Sequence, residues 1–165
     1  MFLSTCPRSV LPTLRHVRPH VIISITDPVP WADGSWAQVP ELDDCLLDVL
    51  HLQFADFHER HFPHTHTCEK TGEIRPLREW AMKPGDASCI REFLENWYGK
   101  YETVIVSCEA GVSRSPSIAL AIAEKFSVNK YSIEPVYRNW DFQPLNPWCY
   151  KLTKEALHEF RNELR

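Results

Sequence analysis

Apolar residues recur along this chain in two rhythms. Val21, Ile22, Ile23 and Ile25 form a short β-branched run ending in Thr26-Asp27-Pro28, which predicts a buried strand and a turn. Residues 49–54 alternate as a second strand and stop at Ala55-Asp56. Residues 103–107, Thr-Val-Ile-Val-Ser, are short and apolar, as in a buried parallel-sheet strand. Elsewhere the period becomes helical. Ile90, Phe93, Leu94 and Trp97 follow Asp86, read as an N-cap, and Gly99 closes that helix. Residues 115–126 carry Ile118, Ala119, Ala121, Ile122 and Ala123, the pattern of a tightly packed helix. Residues 132–140 are expected to form another short helix. Asn146 and Pro147 make an N-cap and first-turn pair for a last helix, whose apolar stripe is Leu152, Leu157 and Phe160.

Strands alternating with helices imply an α/β domain: a three-layer sandwich with a central, mostly parallel sheet flanked by helices. The 165 residues suit a single domain, 1–165. Two stretches fall outside both rhythms. Residues 29–44 are rich in proline and read as loop. Residues 57–85 are polar and irregular, an insertion of the length that usually serves function.

Composition narrows the function classes. Lys and Arg number 18 against 22 Asp and Glu, a net charge of −4, which argues against a general nucleic-acid binder. No apolar run is long enough to span a membrane. Residues 1–18 hold Arg8, Arg15 and Arg18 but no continuous apolar core, so no secretory signal is expected. The six cysteines are irregularly spaced and none forms a CxxC pair, so they read as buried apolar residues or free thiols. The expectation is a soluble, cytoplasmic protein without membrane or nucleic-acid partners.

The chemistry concentrates in one segment. Cys108-Glu109-Ala110-Gly111-Val112-Ser113-Arg114-Ser115 follows a strand and opens a helix. Consecutive backbone N–H groups in a tight loop, backed by a helix N-terminus, can surround an oxyanion. Arg114 adds a guanidinium fork for a phosphoryl group. A thiol at the base of such a loop sits in a positive field that favours its thiolate, and a thiolate beneath a phosphate is a nucleophile placed for in-line attack.

The C-x5-R-S pattern in a strand–loop–helix setting resembles the cysteine-dependent protein tyrosine phosphatase superfamily. The string Ala110-Gly111-Val112-Ser113-Arg114-Ser115-Pro116 is most similar to its compact dual-specificity branch, including bacterial and phage predicted tyrosine phosphatases. The specific match covers about ten residues, and the element order agrees over most of the chain. The resemblance implies hydrolysis of phosphotyrosine, with phosphoserine or phosphothreonine as further substrates, through a phosphocysteine on Cys108. It implies that Glu109, Ala110, Gly111, Val112, Ser113 and Arg114 hold the phosphate, that Arg114 stabilises the transition state, and that Ser115 hydrogen-bonds the leaving thiolate. The partner would be a phosphorylated protein or peptide. No cofactor or metal is implied. Two alternatives stay open: a catalytically weak or inactive phosphate-binding module, and a phosphatase for a non-protein phosphoester.

The resemblance also implies a general acid, an aspartate on a separate loop N-terminal to the nucleophile. Asp56 is the first choice, since it ends a strand at the edge where parallel-sheet sites gather. Asp86 is a rival better explained as a helix cap, and Asp27 is read as a turn residue. One departure is Ser107, where many relatives carry histidine. Glu109 brings a negative charge beside the cysteine, and its side chain is expected to point away from the phosphate.

The remaining clusters read as ordinary surface or core. His58, His61, His64, His66 and Cys68 match no closed metal-ligand spacing and read as a polar loop. Arg75 and Arg78 read as solvated charges. Trp31, Trp36 and Trp80 fall in loops, where one could wall a pocket, while Trp97, Trp140 and Trp148 are expected in the core. Gln143 and Asn146 lie on the loop before the last helix, and Asn146 is read as its N-cap.

Overall fold

In a computed structural model of the chain, residues 1–28, 35–41, 44–67, 71–133 and 145–161 are described. Six strands run β1 (Phe2–Pro7), β2 (His20–Thr26), β3 (Leu46–Gln53), β4 (Thr65–Thr67), β5 (Ile74–Pro76) and β6 (Thr103–Cys108). Three helices follow the chain as α1 (Pro84–Trp97), α2 (Arg114–Lys125) and α3 (Pro147–His158). The central sheet has four strands in the order β1-β6-β2-β3, all parallel.

Strand alternation divides the apolar residues between two faces. Val21, Ile23, Ile25, Val104, Val106 and Cys108 join one core with Ile90, Leu94, Ile118, Ile122, Cys149 and Leu157 from the three helices. Ile22, Ile105, Cys6 and Leu46 face the other way, covered by Leu11 from a 3-10 segment, Arg8–Thr13, and by Ala37. The protein is therefore an α/β sandwich of three layers, with β2 and β6 buried on both faces. Each fully buried aliphatic side chain, such as Ile23 or Ile118, contributes roughly 1.5–3 kcal/mol.

Two expectations about elements change. Residues 2–7 form the edge strand β1, which the sequence pattern did not indicate. Residues 57–85 hold short elements: a 3-10 turn at Glu59–His61, the antiparallel β4–β5 pair, and a second 3-10 turn at Leu77–Trp80. The expected helix over 132–140 lies mostly outside the described residues; a 3-10 turn occupies Lys130–Ser132. Among the described residues, no helix is long and apolar enough to cross a membrane.

Candidate active site

β6 ends at Cys108 and α2 begins at Arg114, so residues 109–113 turn at the carboxyl edge of the sheet. This edge is where open parallel sheets place their sites. Gly111 adopts φ +73°, and a Cβ there would lie 2.7 Å from Pro7 N and 2.9 Å from the Cys6 carbonyl carbon. The loop therefore rests on the end of β1, and only glycine fits both the angle and the space. Cys108 is buried, and its Sγ lies 3.1 Å from the Ser115 hydroxyl in the first turn of α2. The expected pairing of Cys108 with Ser115 is present.

Arg114 is also buried, its side chain only 4% exposed. Its Nη1 donates to the Phe54 carbonyl at 2.6 Å and to Asp27 Oδ1 at 2.6 Å. Asp27 follows β2 and Phe54 follows β3, so the guanidinium is anchored across the ends of both strands. Its Nε is buried with no hydrogen-bond partner among the described residues. Burying such a donor without an acceptor is costly. A bound oxyanion would supply one.

Asp27 is thus more than a turn residue. Burial raises its carboxyl above the ordinary range, and the Arg114 charge opposes that rise. Glu109 and Asp56 are close enough to push it further up.

Asp56 is exposed and meets the loop directly. Its Oδ1 accepts from the Ser113 hydroxyl at 2.9 Å and from Asn146 Nδ2 at 2.7 Å. Asn146 caps α3 as expected, its Oδ1 accepting from the Cys149 N–H at 2.9 Å. Its own N–H donates to the Ser117 hydroxyl of α2 at 2.9 Å. One buried residue, through its backbone N–H and its side-chain amide, therefore ties α2, α3 and Asp56 together. Capping accounted for the Asn146-Pro147 pair in the sequence, and nothing there pointed to Asp56, 90 positions away.

Asp86 stands elsewhere than expected. The N-cap of α1 is Lys83, with Pro84 as the first helical residue, and Asp86 is the third residue of the helix. Its carboxylate accepts the Lys83 N–H at 2.7 Å, closing the helix start. Burial raises this carboxyl, and the Lys83 contact opposes the rise.

The histidine-rich segment begins with a 3-10 turn at Glu59–His61, and His66 lies in β4. His61 Nδ1 accepts the His58 N–H at 3.2 Å, and the two rings sit 4.2 Å apart. Burial, before the nearby His61 and Arg60 charges, pushes the His58 imidazole down. Phe62 packs edge-on to Trp148 at 5.1 Å. Trp97 and Trp148 pack against the helical core, Trp36 is exposed, and Trp80 is half-buried with Arg75 over its ring. Trp31, Trp140, Gln143 and Cys68 lie outside the described residues.

Glu109 turns toward β1, where its Oε1 meets Arg8 Nη1 at 2.9 Å. Comparison of the chain with protein-family models, with curated proteins and with solved structures finds no match.

Proposed function

We propose that this protein is a phosphoric monoester hydrolase that works through a phosphocysteine, with phosphotyrosine in a protein or peptide as its substrate. The observation that supports this best is the pair of buried groups at the two ends of one loop. Cys108 Sγ lies against Ser115 Oγ at 3.1 Å, and Arg114 carries a buried Nε with no acceptor among the described residues.

In this reading the Cys108 thiolate attacks phosphorus, the S–P bond forms and the ester P–O bond breaks. Asp56 gives its proton to the departing oxygen. The Asp56 carboxylate then takes a proton from water as that water attacks the phosphocysteine, releasing phosphate and the thiolate. Ser115 stabilises that leaving thiolate, and Arg114 with the loop amides balances the charge that develops on the phosphoryl oxygens. Phosphoserine and phosphothreonine are secondary substrates. Cys6, Cys89, Cys108 and Cys149 are free thiols, and a reducing, cytoplasmic compartment is part of the proposal.

The test is hydrolysis of 4-nitrophenyl phosphate and a phosphotyrosine peptide by wild type and Cys108→Ser. Turnover by wild type and none by the variant is expected. Turnover retained in Cys108→Ser would sink the covalent route. A second reading, a phosphate-binding module without turnover, draws on Asp27, which already occupies Arg114. It predicts phosphopeptide binding by wild type with no hydrolysis.

A further inference from the structure

A site meant for an anion here is crowded with carboxylates. Asp27 sits on Arg114, Asp56 accepts from Ser113, and Glu109 directly follows the nucleophile. Glu109 and Asp56 both act on the Asp27 carboxyl through space. With Asp56 protonated as the acid, Asp27 and Glu109 still face Arg114, one of whose nitrogens is taken up by Asp27 and Phe54. A phosphate dianion entering such a field would be repelled unless one carboxylate were cancelled.

Arg8 is placed to do this. Pro7 pairs in register with Cys108, so the residue after β1 comes level with Glu109. The Arg8 N–H donates to the Glu109 carbonyl at 3.3 Å, and its Nη1 holds Glu109 Oε1 at 2.9 Å. Its Nη2 reaches Ser35 Oγ at 2.7 Å and the Trp36 carbonyl at 3.2 Å. The pair is part-buried, with 24% and 31% side-chain exposure, so solvent screens it less than a surface bridge.

We propose that Arg8 is a positioning residue for the phosphate loop: it neutralises Glu109 and keeps that carboxylate on the β1 side, so that the loop accepts a dianionic phosphate group. The inference rests on reading residues 108–114 as the phosphate cradle. It concerns charge, which separates it from a brace that merely holds Ser35 and Trp36.

The experiment is calorimetric titration of inorganic phosphate into wild type, Arg8→Gln, Arg8→Lys, Glu109→Gln and the Arg8→Gln/Glu109→Gln double variant. Arg8→Gln is expected to weaken phosphate binding about five- to tenfold. Glu109→Gln in that background is expected to restore it to within about twofold of wild type, and Arg8→Lys to fall between. Glu109→Gln alone is expected to bind phosphate more tightly than wild type. Kinetically, Arg8→Gln raises KM more than it lowers kcat. Unchanged affinity in Arg8→Gln, or a loss that Glu109→Gln does not relieve, overturns the inference and leaves the cradle reading standing. A wild type that binds no phosphate overturns both. Should Arg8→Gln fail to fold, Glu109→Gln decides: affinity equal to or below wild type overturns the inference.

Discussion

Asn146 donates from Nδ2 to Asp56 Oδ1 at 2.7 Å, so the cap of the last helix also sets the carboxylate that meets Ser113 of the 108–114 loop. The cap and the proposed acid can be separated by experiment. Asn146→Ser keeps an N-cap acceptor but removes the amide that donates to Asp56. It is expected to melt within a few degrees of wild type, while Asn146→Ala loses about 1 kcal/mol from the cap. Both are expected to slow phenyl phosphate hydrolysis more than 2,4-dinitrophenyl phosphate hydrolysis. A poor leaving group needs the proton and a good one does not. Asp56→Asn should show the same selectivity more strongly, and equal slowing of both esters would remove Asp56 from the acid role.

Gly111 admits no side chain. Its φ of +73° costs an alanine about 1–2 kcal/mol, and the new methyl would press on the backbone of Pro7 and Cys6. Gly111→Ala is expected to lose phosphate binding while circular dichroism keeps its helical signal. Phosphate affinity within twofold of wild type would mean that the loop is not fixed against β1.

Asp27 balances a buried guanidinium. Asp27→Asn leaves Arg114 without its counter-charge and is expected to lose roughly 1–3 kcal/mol. Added inorganic phosphate should then raise the melting temperature of Asp27→Asn more than that of wild type, since the anion supplies the missing charge. Equal shifts would show that phosphate does not reach Arg114.

Alkaline pH should unfold the protein early. Burial holds the Cys149 thiol well above its ordinary 9.0, and raises the Cys6 thiol and the Tyr101 phenol as well. Above pH 9.0 the unfolded chain releases protons that the folded chain keeps. The folded state then binds more protons, so stability falls as pH rises, and the contribution is complete only below that value. The urea midpoint is expected to hold from pH 7 to 9 and to drop steadily toward pH 11. In Cys149→Ala the slope above pH 9 should be shallower, whatever the packing loss does to the midpoint itself.

Local patterns in the sequence were enough to read β2, β3, β6 and the three helices. Their apolar residues are contiguous or periodic, and burial on the sheet faces enforces that pattern. The pair Cys108 and Ser115 was legible for the same reason, since both sit in one continuous string. What escaped was set by pairing between distant segments. β1 is short, includes Ser4 and Thr5 and ends in proline, and it becomes a strand only by lying beside β6. Arg8 is one of three arginines in the first eighteen residues, with nothing local to single it out, until that register brings Glu109 to it across 101 positions. Asp27 looked like a turn residue because Asp-Pro is a turn signal; its ion pair depends on β2 lying next to β6. Asp86 was misplaced by three residues because Pro84 starts the helix and lets Lys83 be the cap.

The strand order also dictates when the site can exist. β2 and β3 are close in the chain and can join early, but among the described strands β1 pairs with β6 alone, nearly a hundred residues later. Contacts that span so much chain close slowly. The first strand must therefore wait, unpaired, until β6 is in place. Only then do Pro7 and Arg8 gain the loop they support, so the loop between Cys108 and Arg114 takes its place in the same step that completes the sheet.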